Sequence, residues 1–175
     1  MDLALNGSGI HDTARVLGIS PQTVMGELKK IGAVNLRLPT RPDFVPDPAQ
    51  PLRLCMEEIW SFVRHKKEQR WLWWVEDATT GQVLAFVFGR RTHATFRRLL
   101  AVLTTAGWPV ERWFTEACLP AAQHQVGKGA LQRLERKHLT LRTLLKRLAH
   151  KTICFPKKQF FHDGLIALFI FRFFF

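Results

Sequence analysis

The sequence predicts an α/β fold: a mixed sheet with flanking helices, preceded by a small all-α segment. Three observations predict it. A Gly18-Ile19-Ser20-Pro21 break divides two short helical patterns near the N-terminus. A Pro-rich stretch follows. Beyond it the apolar period changes from helical to strand-like, in the order β-β-β-α-β-α.

Residues 7–32 read as a helix-turn-helix. Ile10, Ala14, Val16 and Leu17 form the first apolar stripe, and Gly18-Ile19 makes the turn. Ser20 is placed to cap the second helix and Pro21 to open it. Val24, Leu28 and Ile31 continue its inner face, and Gly32 is expected to end it. Residues 37–52 carry prolines at 39, 42, 46, 48 and 51, so a linker or extended arm is expected there. Leu54–Val63, Arg70–Val75 and Val83–Phe88 then read as an antiparallel meander, with Thr79-Thr80-Gly81 as a turn. Thr92–Thr105 reads as a helix with Phe96, Leu99, Leu100 and Leu103 on one face, stopped by Gly107 and Pro109. Val110–Thr115 is a fourth strand. Ala130–Lys151 is the longest helix, with Leu131, Leu134, Leu141, Leu145 and Leu148 inward. Arg133, Arg136, Lys137, Arg142, Lys146 and Arg147 make its other face basic. The apolar end Gly164–Phe175 has 12 residues and contains Arg172, so it is too short to span a bilayer. It reads as a buried terminal helix or strand.

The chain has 175 residues and a formal net charge of +12. That excess favours a polyanionic partner, nucleic acid first, and argues against an ordinary small-molecule enzyme or an acidic scaffold. Cys55, Cys118 and Cys154 lie far apart, which fits a reducing cytoplasm better than a disulfide framework. There is no C-x-x-C, so a zinc ribbon is not expected from this chain. The sequence has 14 Phe and no Tyr, the mark of an altered copy.

Two constellations carry chemistry. In the helix-turn-helix, Gln22 and Thr23 sit at the start of the second helix, where side chains reach base edges in the major groove of double-stranded DNA. Lys29 and Lys30 are placed to hold phosphates. Further on, Glu57 falls in the first strand, Glu116 at the end of the fourth and Glu135 on the long helix. A β-β-β-α-β-α order sets the first and fourth strands side by side, and the helix can bring its acid over both. Converging carboxylates repel one another unless cations join them, so such a site recruits Mg2+ or Mn2+. Two ions about 4 Å apart would activate a water or a 3′-hydroxyl and stabilise the leaving oxygen of a phosphodiester. Arg133, Arg136, Lys137 and Arg142 would neutralise the flanking phosphates. The six tryptophans read as core before base platform, and His138 and His162 as structural.

These stretches resemble a known family. Met56-Glu57-Glu58-Ile59-Trp60-Ser61-Phe62-Val63 is similar to the first acidic strand of the insertion-sequence-one transposases. Arg70-Trp71-Leu72-Trp73 and Phe86-Val87-Phe88-Gly89-Arg90-Arg91-Thr92 resemble the strands that follow. Trp113-Phe114-Thr115-Glu116 resembles the second acidic strand, and Gln132-Arg133-Leu134-Glu135-Arg136-Lys137-His138 the helix of the third acid. Lys151-Thr152-Ile153-Cys154-Phe155 and His162-Asp163 fit downstream. The resemblance implies a helix-turn-helix DNA-binding segment over 1–36, a Pro-rich linker over 37–52 and a ribonuclease-H-like catalytic domain over 53–175. It implies an enzyme that binds transposon ends, cuts DNA and joins the freed ends to target DNA with a DDE triad and divalent metal. The implied catalytic and metal-binding residues are Glu57, Glu116 and Glu135. A homodimer without membrane attachment is implied, in a bacterial cytoplasm and associated with the nucleoid. Family members also carry an N-terminal zinc ribbon.

This chain departs from the family in having Glu57 and Glu116 where the family has Asp. The extra methylene moves each carboxylate by about 1.5 Å, and misplacement near 1 Å can cost about a hundredfold in rate. Weakened catalysis is therefore expected. The alternative is a non-catalytic DNA-binding repressor of transposition.

Overall fold

The computed structural model describes residues 2–37, 39–47, 49, 51–108, 110–114, 128–145, 148 and 157–175. The elements are α1 (Asp2–Leu5), α2 (Ile10–Leu17), α3 (Pro21–Arg37), β1 (Leu52–Phe62), β2 (Gln69–Asp77), β3 (Val83–Gly89), α4 (His93–Thr105), β4 (Val110–Phe114), α5 (Lys128–Leu144) and α6 (Gln159–Phe173). The expected β-β-β-α-β-α order is present, and the chain is mixed α/β with flanking helices. Contacts divide it into two compact units. A helical unit takes residues 1–38, 62–69 and 139–174; a sheet unit takes 39–61, 70–138 and 175.

In the helical unit, α2 ends at Gly18, whose φ of 64° is the left-handed value that glycine adopts without strain. The Ser20 hydroxyl accepts the Thr23 N–H at 3.0 Å and so caps α3, with Pro21 behind it. The apolar stripe of α2 is narrower than the sequence suggested. Its buried residues are Thr13 and Ala14, whereas Val16 and Leu17 are exposed. Val16 is two positions from Ala14, about 200° around the helix, and Leu17 is the terminal residue. A second correction concerns Gly32, which does not end α3. The helix runs on to Arg37 because Gly32 serves packing, not termination. Gly32 faces Gly164 of α6, and a Cβ on Gly164 would lie 2.9 Å from the Gly32 Cα. The apolar C-terminus is the helix α6, buried from His162 to Ala167 and again at Phe169 and Ile170. Arg172 near its end pairs with Asp2 of α1.

In the sheet unit, the described strands run in the order β3-β2-β1-β4. β2 and β3 are antiparallel, from Trp71 opposite Gly89 to Glu76 opposite Val83. β1 and β2 are hydrogen-bonded neighbours joined by a short turn, which makes them a hairpin. β4 returns through α4 to lie parallel to β1, with Leu52 opposite Val110 and Cys55 opposite Phe114. The crossover is tight where it leaves the sheet. Thr92 caps α4 by accepting the Thr95 N–H, and a Cβ on Gly89 would meet the Thr95 hydroxyl at 2.3 Å. Leu52, Leu54 and Met56 of β1, Trp73 and Val75 of β2, and Ala85 and Val87 of β3 pack with Leu99 and Leu103 of α4 in one cluster.

The Pro-rich stretch is not wholly a free linker. Its first residues lie along the outer edge of β3: the Phe86 N–H donates to the Pro39 carbonyl at 2.9 Å, and the Arg41 N–H donates to the Leu84 carbonyl at 2.7 Å. Proline lacks a donor, but its carbonyl is enough to satisfy an edge strand. α5 starts two residues before the expected Ala130 and ends at Leu144, short of Lys151. Leu141, Leu145 and Leu148 are buried as expected. The side chains of Leu131 and Leu134, and residues 146, 147 and 149–156, lie outside the described residues.

Candidate active site

Strand alternation decides which acids share a face. Leu54 and Met56 point into the cluster under α4, so Cys55 and Glu57 belong to the opposite face. Glu57 is half-buried there, and its Oε2 accepts the Glu58 N–H at 3.3 Å. Glu58 alternates back to the α4 side, where the Arg91 Nε donates to its Oε2 at 2.6 Å. That neighbouring carboxylate is therefore engaged by the segment leading into α4.

On β2 the same rule sets Trp73 and Val75 under α4, and Trp74 and Glu76 on the face of Glu57. α5 lies on this second face. Its His138 ring sits 5.2 Å from the Trp74 ring, and its Lys137 Nζ donates to Glu76 Oε2 at 2.8 Å. Glu135, two residues before Lys137, is exposed. Glu57 and the helix that carries Glu135 thus share one face of the sheet. Glu116 lies outside the described residues. The described strand β4 is the parallel neighbour of β1, and their register runs as far as Cys55 opposite Phe114. Among the described residues, no group of three or more His, Cys, Asp or Glu is arranged to hold a metal ion.

Residues 52–175 match the family model described as the IS1 transposase. This chain belongs to the IS1 transposase family. It is 44% identical over 119 residues to the insertion element iso-IS1n protein InsB of Shigella dysenteriae, covering 66% of this chain and 91% of that protein. It is 36% identical over 160 residues to the insertion element IS1 9 protein InsB of Escherichia coli K12, covering 84% of this chain and 88% of that protein. Among solved structures, a chain in a simian T-cell lymphotropic virus intasome in complex with PP2A regulatory subunit B56 gamma is similar over 88% of this chain and 62% of that one. Its identity is 14% and its TM-score 0.41.

The transposase's basic residues divide by environment. Gln22, Thr23, Lys29 and Lys30 are all exposed on α3. The Thr23 hydroxyl is 2.9 Å from that of Ser20, within the cap. Lys30 pairs with Glu27 at 2.8 Å, and this hydrogen bond raises its pKa above the ordinary lysine value. Arg136 and Arg142 are exposed on α5, whereas the Arg133 side chain lies outside the described residues. Lys137 is turned instead toward the sheet, to Glu76 and the Gly81 carbonyl. There it supplies the cation that a buried carboxylate needs close by.

Trp73 and Trp74 follow the core reading and are buried; Trp60, Trp71 and Trp108 are partly buried, and the Trp113 side chain lies outside the described residues. Trp71 is covered by the Arg91 guanidinium at 5.3 Å. His162 is buried against Asp163 at 2.9 Å, in the helical unit. Sequence reading missed Glu76. The signal was an acid in phase with Trp74, directly after the apolar run Trp71–Val75. No described helix is long and apolar enough to cross a membrane.

Proposed function

We propose that this chain is the catalytic protein of an insertion sequence, binding transposon ends and carrying out DNA cleavage and strand transfer. In this reading the sheet unit is ribonuclease-H-like, the α2–α3 hairpin over residues 1–36 is a helix-turn-helix reader of duplex DNA, 37–52 connects, and 53–175 is catalytic. The observation that carries it is the parallel pairing of β1 with β4, combined with the seating of α5 on the face of Glu57. Glu116 follows the described end of β4 by two residues in the sequence.

The donor set fits a hard divalent cation, since it offers carboxylate oxygens rather than thiolates. Glu57, Glu116 and Glu135 would hold Mg2+ or Mn2+. When bound, the cations supply activation of the attacking oxygen and stabilisation of the leaving one. Arg133, Arg136 and Arg142 hold the phosphates on either side of the scissile bond. Gln22 and Thr23 read base edges, and Lys29 and Lys30 bind the DNA backbone. Cleavage and joining are both in-line displacements at phosphorus, by water and by a 3′-hydroxyl. Joining two ends calls for a homodimer, acting at the bacterial nucleoid.

The glutamates at two positions where the family has aspartate favour a second reading, a non-catalytic repressor that occupies transposon ends. Nicking of a duplex copied from the DNA flanking the reading frame, with Mn2+, separates the two. Gain of activity in Glu57→Asp/Glu116→Asp, with none in Glu135→Ala, supports the triad. Inactivity of every form with end binding intact supports the repressor.

A further inference from the structure

Glu135 and Lys137 are two residues apart on α5, about 200° around the helix. Leu141 and Leu145 mark the buried side of that helix. Lys137 and Glu135 therefore occupy opposite flanks of the buried side. The Lys137 flank is tied down: its ammonium donates to Glu76 Oε2 at 2.8 Å and to the Gly81 carbonyl in the β2–β3 turn. The Glu76 side chain is 3% exposed, so a carboxylate this deep holds its cation firmly. The turn that supplies the carbonyl is itself braced, since Asp77 accepts the Thr79 N–H at 3.0 Å and the Thr80 N–H at 3.1 Å. One residue beyond Lys137, the His138 ring lies against Trp74, which shares a face of β2 with Glu76. Two successive residues of α5 are thus fixed to successive same-face positions of one strand.

We propose that Glu76 and Lys137 are positioning residues: their ion pair sets the roll of α5 on the sheet and thereby the location of the Glu135 carboxylate. This rests on the reading of Glu135 as a metal ligand. The leverage is simple. A helix with side chains has a radius of about 5–6 Å, so a roll of about 10° displaces a side-chain tip by about 1 Å. That is enough to cost about a hundredfold in rate.

The test compares Glu76→Gln, Lys137→Met and the double variant Glu76→Gln/Lys137→Met in the full chain. Four quantities are measured: Mn2+ affinity by electron paramagnetic resonance of the free ion, the nicking rate on the flanking-sequence duplex, the salt dependence of duplex binding, and the thermal midpoint. Weaker Mn2+ binding and a nicking rate lower by about a hundredfold are expected in all three. The double variant is expected to be no worse than either single one, and duplex affinity and its salt slope are expected to stay unchanged. The double variant removes both charges, so its thermal midpoint recovers while its Mn2+ affinity does not. Recovery of both together would reduce the pair to a structural role and overturn the proposal. So would a Lys137→Met variant that binds duplex more weakly, with a salt slope smaller by about one, beside a neutral Glu76→Gln, because Lys137 would then be a phosphate contact. If the unaltered protein neither binds Mn2+ nor nicks, the triad reading fails. If it does both and the variants match it, the positioning role fails.

Discussion

The helical unit and the sheet unit use charge in different ways. In the helical unit, the pairs Arg15–Asp12 and Lys30–Glu27 join residues three apart on one helix, Arg172–Asp2 joins α6 to α1, and all three are largely exposed. In the sheet unit, the pairs Arg91–Glu58 and Lys137–Glu76 join residues far apart in sequence, and their acids are nearly buried. Exposed local pairs contribute little and exchange freely with water and salt. Buried long-range pairs hold elements in one arrangement, and breaking one leaves a charge stranded. The helical unit's exposed pairs leave its charge open to water and salt, whereas the pairs Arg91–Glu58 and Lys137–Glu76 tie elements of the sheet unit together.

Four measurements would break or sharpen this contrast. The largest effect is expected from Lys137→Met, which strands Glu76; chemical denaturation should show a loss of about 3 kcal/mol. Gly89→Ala comes next, because its Cβ would meet the Thr95 side chain at 2.3 Å. A loss of about 2 kcal/mol is expected, and Gly89→Ala/Thr95→Ser, with less side chain in the way, should recover part of it. Gly164→Ala tests the helical unit's packing in the same way. The added Cβ would meet the Gly32 Cα at 2.9 Å, and a backbone atom has little room to yield, so about 1–2 kcal/mol should be lost and the thermal midpoint should fall.

The smallest effect on stability is expected from Lys30→Met. It should change the thermal midpoint at neutral pH only slightly, because the pair is exposed, yet reduce the salt slope of duplex binding by about one. The pH dependence of its pair follows from the direction of the Lys30 shift. A pKa raised in the fold means that the pair's contribution is complete below the ordinary lysine value of 10.5 and fades as pH rises through the raised value. Whatever small stability difference separates Lys30→Met from the parent is therefore expected at neutral pH and should vanish in alkaline unfolding.

Much of the architecture was legible because its signals are local. The Ser20-Pro21 cap, the left-handed Gly18, the Thr92 cap and the strand periods of β2 and β3 each arise from a residue's own backbone preferences or from alternation. The misreadings share a cause. Gly32 looked like a helix stop because glycine is a poor helix former, but a facing glycine on α6 made its missing side chain useful. Lys137 looked like part of a solvated basic face because a sequence does not display the carboxylate at Glu76, 61 residues away. Pro39 looked like a breaker, yet its carbonyl and the Arg41 N–H are enough to pair with the edge of β3.

By itself, the sequence determined the family, the order of strands and helices, the basic balance and the acids to consider. These depend on residue types and on spacing along one segment. Tertiary structure alone decided that Glu58 is engaged by Arg91, that Lys137 serves a buried acid, and that α5 rests on the face of Glu57. Those outcomes depend on which distant groups meet out of water, where an unpaired charge is too costly to leave alone.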